Sequence, residues 1–251
     1  MRTILCVVLL AIGPLTVAQC ERLDSASRAL EKIWDGRFGQ EVYEQGDPFY
    51  SDFLKLLEDT STFGCVLDST AFIGDTWSSD GRLRVLSWDH LSTGSGHDMV
   101  SIAQFRDASG IVHSKVLCPA SDENDIADVE FYRIHKLQDN ENASYLLIGW
   151  GTHGGGSHHV VAIALRIRSE HLDQLDRVFP VFGEGYWSSD SMYVISTQRS
   201  HRIDMRYDEG ARAISHNEFK PVEDEDVPWS RPTGRRTTLL WSGDRFIIKP
   251  E

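Results

Sequence analysis

The sequence predicts a mainly β protein of repeated antiparallel meanders, β-propeller-like or folded as a twisted sandwich, with a short helical N-terminal segment. Three observations predict it. From about residue 63 onward, short runs rich in Val, Ile, Leu, Tyr and Phe alternate with Gly, Ser, Asp and Asn clusters. Two of those runs, with the turns that follow them, are near-copies of each other. Before residue 63, apolar residues recur instead at helical spacing. The chain has 251 residues, enough for one domain with a sizeable core.

Residues 1–18 read as an export signal: Arg2 is the positive start, 4–12 the apolar stretch, and Thr16-Val17-Ala18 a small-residue cleavage site. The apolar stretch is too short to span a hydrocarbon layer of roughly 30 Å, and no later stretch approaches roughly 20 apolar residues. Residues 19–62 form the expected helical segment. Leu23, Ala26, Leu30 and Ile33 share one face, and a second helix opens at Asp47-Pro48 and carries Phe49, Phe53, Leu56 and Leu57. Residues 63–251 form the β domain, with strands expected at 83–87, 99–106, 112–117, 129–137, 145–150, 159–168, 192–197, 203–207, 213–219, 237–241 and 245–249. One short helix is expected at 170–178 and an acidic, proline-bounded loop at 221–232.

The repeat emerges when "LRVLSWDHLSTGSGHDMVSIAQF" is laid over "YLLIGWGTHGGGSHHVVAIALRI". The unit is a strand ending in Trp, a Gly- or Ser-rich turn, a histidine, and a returning strand. Copies begin at Leu83 and Tyr145, with a shorter third at Met192. The tetrapeptide Trp-Ser-Ser-Asp precedes the first at Trp77 and the third at Trp187, where it reads as the turn that opens a unit. A last hairpin turns at Ser242-Gly243-Asp244. Stacked meanders suggest a small or partial propeller-like array, and regularly spaced strands fit a twisted sandwich as well.

The stretch "SSDGRLRVLSWD", its Gly-rich turn with histidine, and the "FYRIH" and "LLIGWG" strands resemble a group of uncharacterised secreted bacterial proteins. The residues that carry the resemblance are Ser79, Asp80, Leu83, Arg84, Ser87, Trp88, Asp89, Tyr132, Arg133, Ile134, Gly149 and Gly151. It covers roughly residues 63–168 and implies export and a β-rich fold, with no established activity attached.

A formal net charge of −13 argues against nucleic acid or an anionic membrane surface as partner. The cysteines fit an oxidising compartment. Cys6 lies in the signal, which leaves Cys65 and Cys118 as the expected disulfide and Cys20 for a thiol or a lipid anchor. Gln19 stands where bacterial lipid attachment wants a small residue, so a lipoprotein is the minority reading.

The candidate binding residues cluster at the repeated turns: Trp88, Asp89, His97, Trp150, His153 and His158. An indole face binds the apolar C–H surface of a sugar while turn residues supply polar contacts. His97 and His158, with Asp98 or Asp89, form a speculative divalent-metal set. Against both stand blander roles, buried repeat-core tryptophans and histidines that hydrogen-bond turn carbonyls. No G-x-S-x-G, HExxH, P-loop or EF-hand pattern occurs, so no catalytic residue is assigned. The expectation is an exported protein, periplasmic or extracellular, that binds a glycan or an envelope protein without catalysis or cofactor. A metal-assisted or carboxylate-based hydrolase and a pure scaffold are the alternatives.

Overall fold

The computed structural model describes residues 13–35, 41–67, 72–90, 97–118, 128–138, 143–152, 156–180, 189–221 and 230–249. Two helices, α1 (Gly13–Asp35) and α2 (Glu41–Glu58), lead into a 3-10 turn at Thr60–Gly64. Three antiparallel sheets follow. The first is a meander of β1 (Ile73–Trp77), β2 (Leu83–Asp89), β3 (Met99–Arg106) and β4 (Val112–Cys118). The second orders β5 (Glu130–Gln138), β6 (Ser144–Gly151), β7 (Ser157–Arg168) and β8 (His171–Gln174), and β9 (Met192–Gln198) pairs with the first half of β7 while β8 pairs with its end. The third orders β10 (Arg206–Asp208), β11 (Ala213–Pro221), β12 (Ser230–Trp241) and β13 (Phe246–Ile248). The fold is thus mainly β and built from meanders. No sheet among the described strands closes on itself.

The sheets stack face to face because strand alternation gives each inner strand two apolar faces. On β2, Leu83 and Val85 pack against the second sheet, and Leu86 and Trp88 pack against the helices with Leu23, Leu30, Phe53 and Leu57. On β7, Val161, Ile163 and Leu165 face the first sheet, and Val160, Ala162 and Ala164 face the third. The second sheet is therefore the middle layer, which is why "LLIGW" and "VVAIAL" read as continuous apolar runs. Between the second and third sheets, Tyr193 donates its hydroxyl hydrogen to Nε2 of buried His216 at 2.5 Å. Burial lowers the His216 pKa to about 4, so the imidazole stays neutral there.

Two buried polar links fasten the helical segment to the first sheet. Arg84 on β2 donates to both oxygens of Asp75 at 2.8 Å and to the carbonyl of Thr62 at 3.2 Å, with its guanidinium over the Trp77 ring. Gln104 on β3 donates to the Leu57 carbonyl at 2.9 Å. The first Trp-Ser-Ser-Asp is the turn between β1 and β2. Ser78 Oγ donates to Asp80 at 2.7 Å and accepts from the Leu83 amide at 3.0 Å. Asp80 also ties this turn to the second sheet, accepting from Tyr145 at 2.9 Å and from Lys136 at 3.0 Å. Burial opposes its charge, yet these donors hold its carboxyl below the usual range. Trp187 and Ser188 of the second copy lie outside the described residues.

Several expectations need correction. The disulfide joins Cys20 to Cys65, and Cys118 is a buried thiol outside it. The first sheet explains why: Cys65 sits among the residues between that sheet and the helices, and Cys118 among those on its opposite face. With its sulfur in the disulfide, Cys20 has none left for a lipid thioether. Residues 171–174 form strand β8, not a helix, because their amides and carbonyls complete the edge of β7. Helix α2 starts at Glu41, ahead of Asp47-Pro48. The segment from Met192 is no third unit of the same kind. β9 belongs to the second sheet, and the third meander starts at Arg206.

Candidate functional site

The strand ends that flank the two repeated turns come together, Asp89 and His97 of the first sheet beside Trp150 and His158 of the second. Asp89 ends β2, and the returning strand β3 starts just beyond His97 and Asp98. His97 donates its Nδ1–H to Asp89 Oδ2 at 2.5 Å, while Asp89 Oδ1 accepts the Asp98 amide at 3.2 Å. Asp89 is buried and His97 half-exposed, so the carboxylate orients the ring from within and leaves its other edge to the outside.

In the second sheet, Trp150 stands one residue from the end of β6 and His158 one residue into β7. The rings of His97 and Trp150 lie 5.9 Å apart, tilted by 50°. Trp150 donates its Nε1–H to His158 Nδ1 at 3.2 Å, and His158 donates Nε2–H to the His201 carbonyl at 2.8 Å. With both nitrogens so used, His158 is neutral with its proton on Nε2. Burial lowers its pKa and nearby Arg199 adds to the shift, although the His201 carbonyl works the other way. Trp150 is partly exposed at the rim of the core between the second and third sheets.

Glu130, at the start of β5, stands opposite Trp150 in register. Its carboxylate reaches back over β1, where a Cβ on Gly74 would come within 2.9 Å of Oε1. Burial raises the Glu130 pKa, with His97 offsetting part of the shift. The repeat pattern did not single out Glu130, because a lone acid before an apolar strand carries no local signature. The loop carbonyl of His201 is likewise invisible in sequence.

The glycines of "LLIGWG" make the middle layer possible. A Cβ on Gly151 would meet the Asp128 carbonyl at 2.1 Å and His159 Nε2 at 2.5 Å, and one on Gly149 would meet Phe131 at 2.9 Å. His159, fully buried, therefore packs against the β6 backbone, on the opposite face of β7 from His158.

The sequence candidates thus divide. Asp89, His97, Trp150 and His158 come together. Trp88 does not join them: it is 1% exposed and packs edge-on against Phe53, at 4.9 Å between ring centres. His153 lies outside the described residues. His97 and His158 both touch Trp150, yet among the described residues no three His, Cys, Asp or Glu side chains are grouped as metal ligands. A metal on His158 would also have to break one of the two hydrogen bonds its ring makes. Among the described residues, no helix is long and apolar enough to cross a membrane. Compared with protein-family models, curated proteins and solved structures, the chain matches none.

Proposed function

We propose that this protein is an exported, non-catalytic binding module whose ligand, a glycan, sits against Trp150. The observation that carries the reading is the placement of Trp150, a partly open indole fixed by His158 and flanked by His97 and Glu130 at a strand end. An indole face held in one orientation suits the C–H face of a sugar, and a carboxyl and an imidazole beside it suit its hydroxyls. Export is supported by the signal-like leader and by the Cys20–Cys65 disulfide. Trp150→Ala, compared with wild type on an array of bacterial envelope glycans, is expected to lose retention while still unfolding cooperatively, with a circular dichroism melt about 2–4 °C below wild type. Retention unchanged by Trp150→Ala overturns the reading.

One observation favours a second reading, a carboxylate-based hydrolase. Burial raises the Glu130 pKa, the direction a general acid requires, and His97 beside it is oriented by Asp89. That reading predicts turnover of a model glycoside with a pH profile that Glu130→Gln flattens. No turnover by the wild type eliminates it.

A further inference from the structure

On the export reading, on which this inference rests, cleavage after Ala18 makes Gln19 the first residue of the exported chain. Two contacts distinguish this end of α1. Cys20, the next residue, is bonded to Cys65 just past the 3-10 turn, so the new terminus is tied to the folded body one residue from its free end. Arg22, three residues on, donates a guanidinium N–H to Oε1 of the half-buried Gln19 at 3.0 Å. A guanidinium only donates, so the atom it meets is the carbonyl oxygen of the side-chain amide. Hydrogen bonds from Ser61 hold the carboxyl of Asp59, the cap of the 3-10 turn, below its usual range, and the charge of Arg22 adds to that. The guanidinium therefore stands near both the turn and Gln19.

We propose that Gln19 becomes a pyroglutamyl residue, by attack of its own α-amine on its side-chain amide. The amine, with an ordinary pKa of about 7.7–8.0, keeps a neutral, nucleophilic fraction at neutral pH. Its lone pair adds to Cδ and forms the N–Cδ bond of a five-membered lactam. The original C–N bond of the amide then breaks. Its nitrogen departs as ammonia, carrying the proton that the attacking nitrogen gives up. No oxidant, metal or further reactant enters the balance.

Negative charge builds on Oε1 as the lone pair adds, and Arg22 already donates to that oxygen. The guanidinium thus stabilises the transition state more than the resting amide. Arg22 is exposed, so water screens much of the effect. The disulfide fixes the first turn of the shortened helix, which keeps Gln19 and Arg22 neighbours on one face. The product has neither a terminal charge nor a free amine. An aminopeptidase then finds no α-amine to bind, and the disulfide holds the following residue. Together they seal the start of the chain after export.

The test is mass spectrometry of the N-terminal peptide, on the full chain expressed with its leader in an exporting bacterium and collected after export. Wild type is expected to give a peptide that begins at Gln19, is lighter than the linear form by one ammonia, and is disulfide-linked to the peptide of Cys65. Gln19→Asn, whose shorter side chain cannot close the lactam, is expected to keep its full mass. In a pulse–chase, Arg22→Met is expected to cyclise about fivefold more slowly than wild type, and Trp150→Ala at the wild-type rate. A linear Gln19 overturns the proposal and leaves the export reading standing. A first residue other than Gln19 overturns the proposal, and a retained leader overturns the export reading with it. Equal rates in wild type and Arg22→Met overturn the part assigned to Arg22.

Discussion

Trp88 and Trp150 occupy equivalent places in the repeat, each near the end of a strand that leads into a Gly-rich turn and a histidine. Their surroundings differ because their sheets differ in position. Trp88 lies on the outer face of the first sheet, and the helical segment covers that face with Phe49 and Phe53. Trp150 lies on the middle sheet at the rim of the core shared with the third, and there it also meets His97 from the first repeat and His158 from its own. A repeated sequence fixes which way a side chain points from its own sheet. What lies opposite is decided by the stacking order. The same residue type thus becomes a core element in one copy and a candidate ligand face in the other.

The comparison breaks most readily through stability. Trp88→Ala is expected to cost about 4 kcal/mol in urea unfolding, the usual range for emptying a large aromatic site. Trp150→Ala, at a partly open rim, is expected to cost about 1 kcal/mol. Equal losses would mean that both tryptophans are core residues. Gly151→Ala comes next, at about 3 kcal/mol, because its new methyl group meets the Asp128 carbonyl and the buried His159 ring. An Ala at Gly64, where nothing lies within 4 Å of a new Cβ, is the matched control.

The smallest effect is a pH dependence. His158 is held neutral, with its pKa lowered by burial. Its contribution to stability is present above the unfolded-state value of about 6.5 and declines as pH falls below it. Protonation places a hydrogen on Nδ1, where Trp150 Nε1–H now donates, and so releases the indole. Urea midpoints measured from pH 7.5 to 5 should fall more steeply for wild type than for His158→Gln, and indole fluorescence should change over the same interval. Parallel pH curves would show that His158 does not hold Trp150.

Much of this was legible in the sequence. The paired Trp-turn-His units, the helical start and most strands follow from apolar spacing alone. β1 was missed because "IGDTW" mixes Gly and Asp into a half-exposed edge strand. The short helix expected over 170–178 is replaced at 171–174 by β8. It is a strand because the end of β7 offers open hydrogen-bonding groups, which only the folded sheet reveals. The cysteine pairing failed for a similar reason, since spacing says nothing about which face of the first sheet each sulfur occupies. At the site, residue types singled out Asp89, His97, Trp150 and His158. The burial that separates Trp150 from Trp88, and the approach of Glu130, depend on the order of the layers.

Hydroxyl-radical footprinting, with and without an oligosaccharide retained on the glycan array, tests the central claim most directly. The account predicts that Trp150 oxidises well ahead of Trp88 in the unliganded protein and is protected when the oligosaccharide binds, with the Trp88 rate unchanged. Equal oxidation of the two tryptophans, or a Trp150 rate that the bound oligosaccharide leaves untouched, would contradict it.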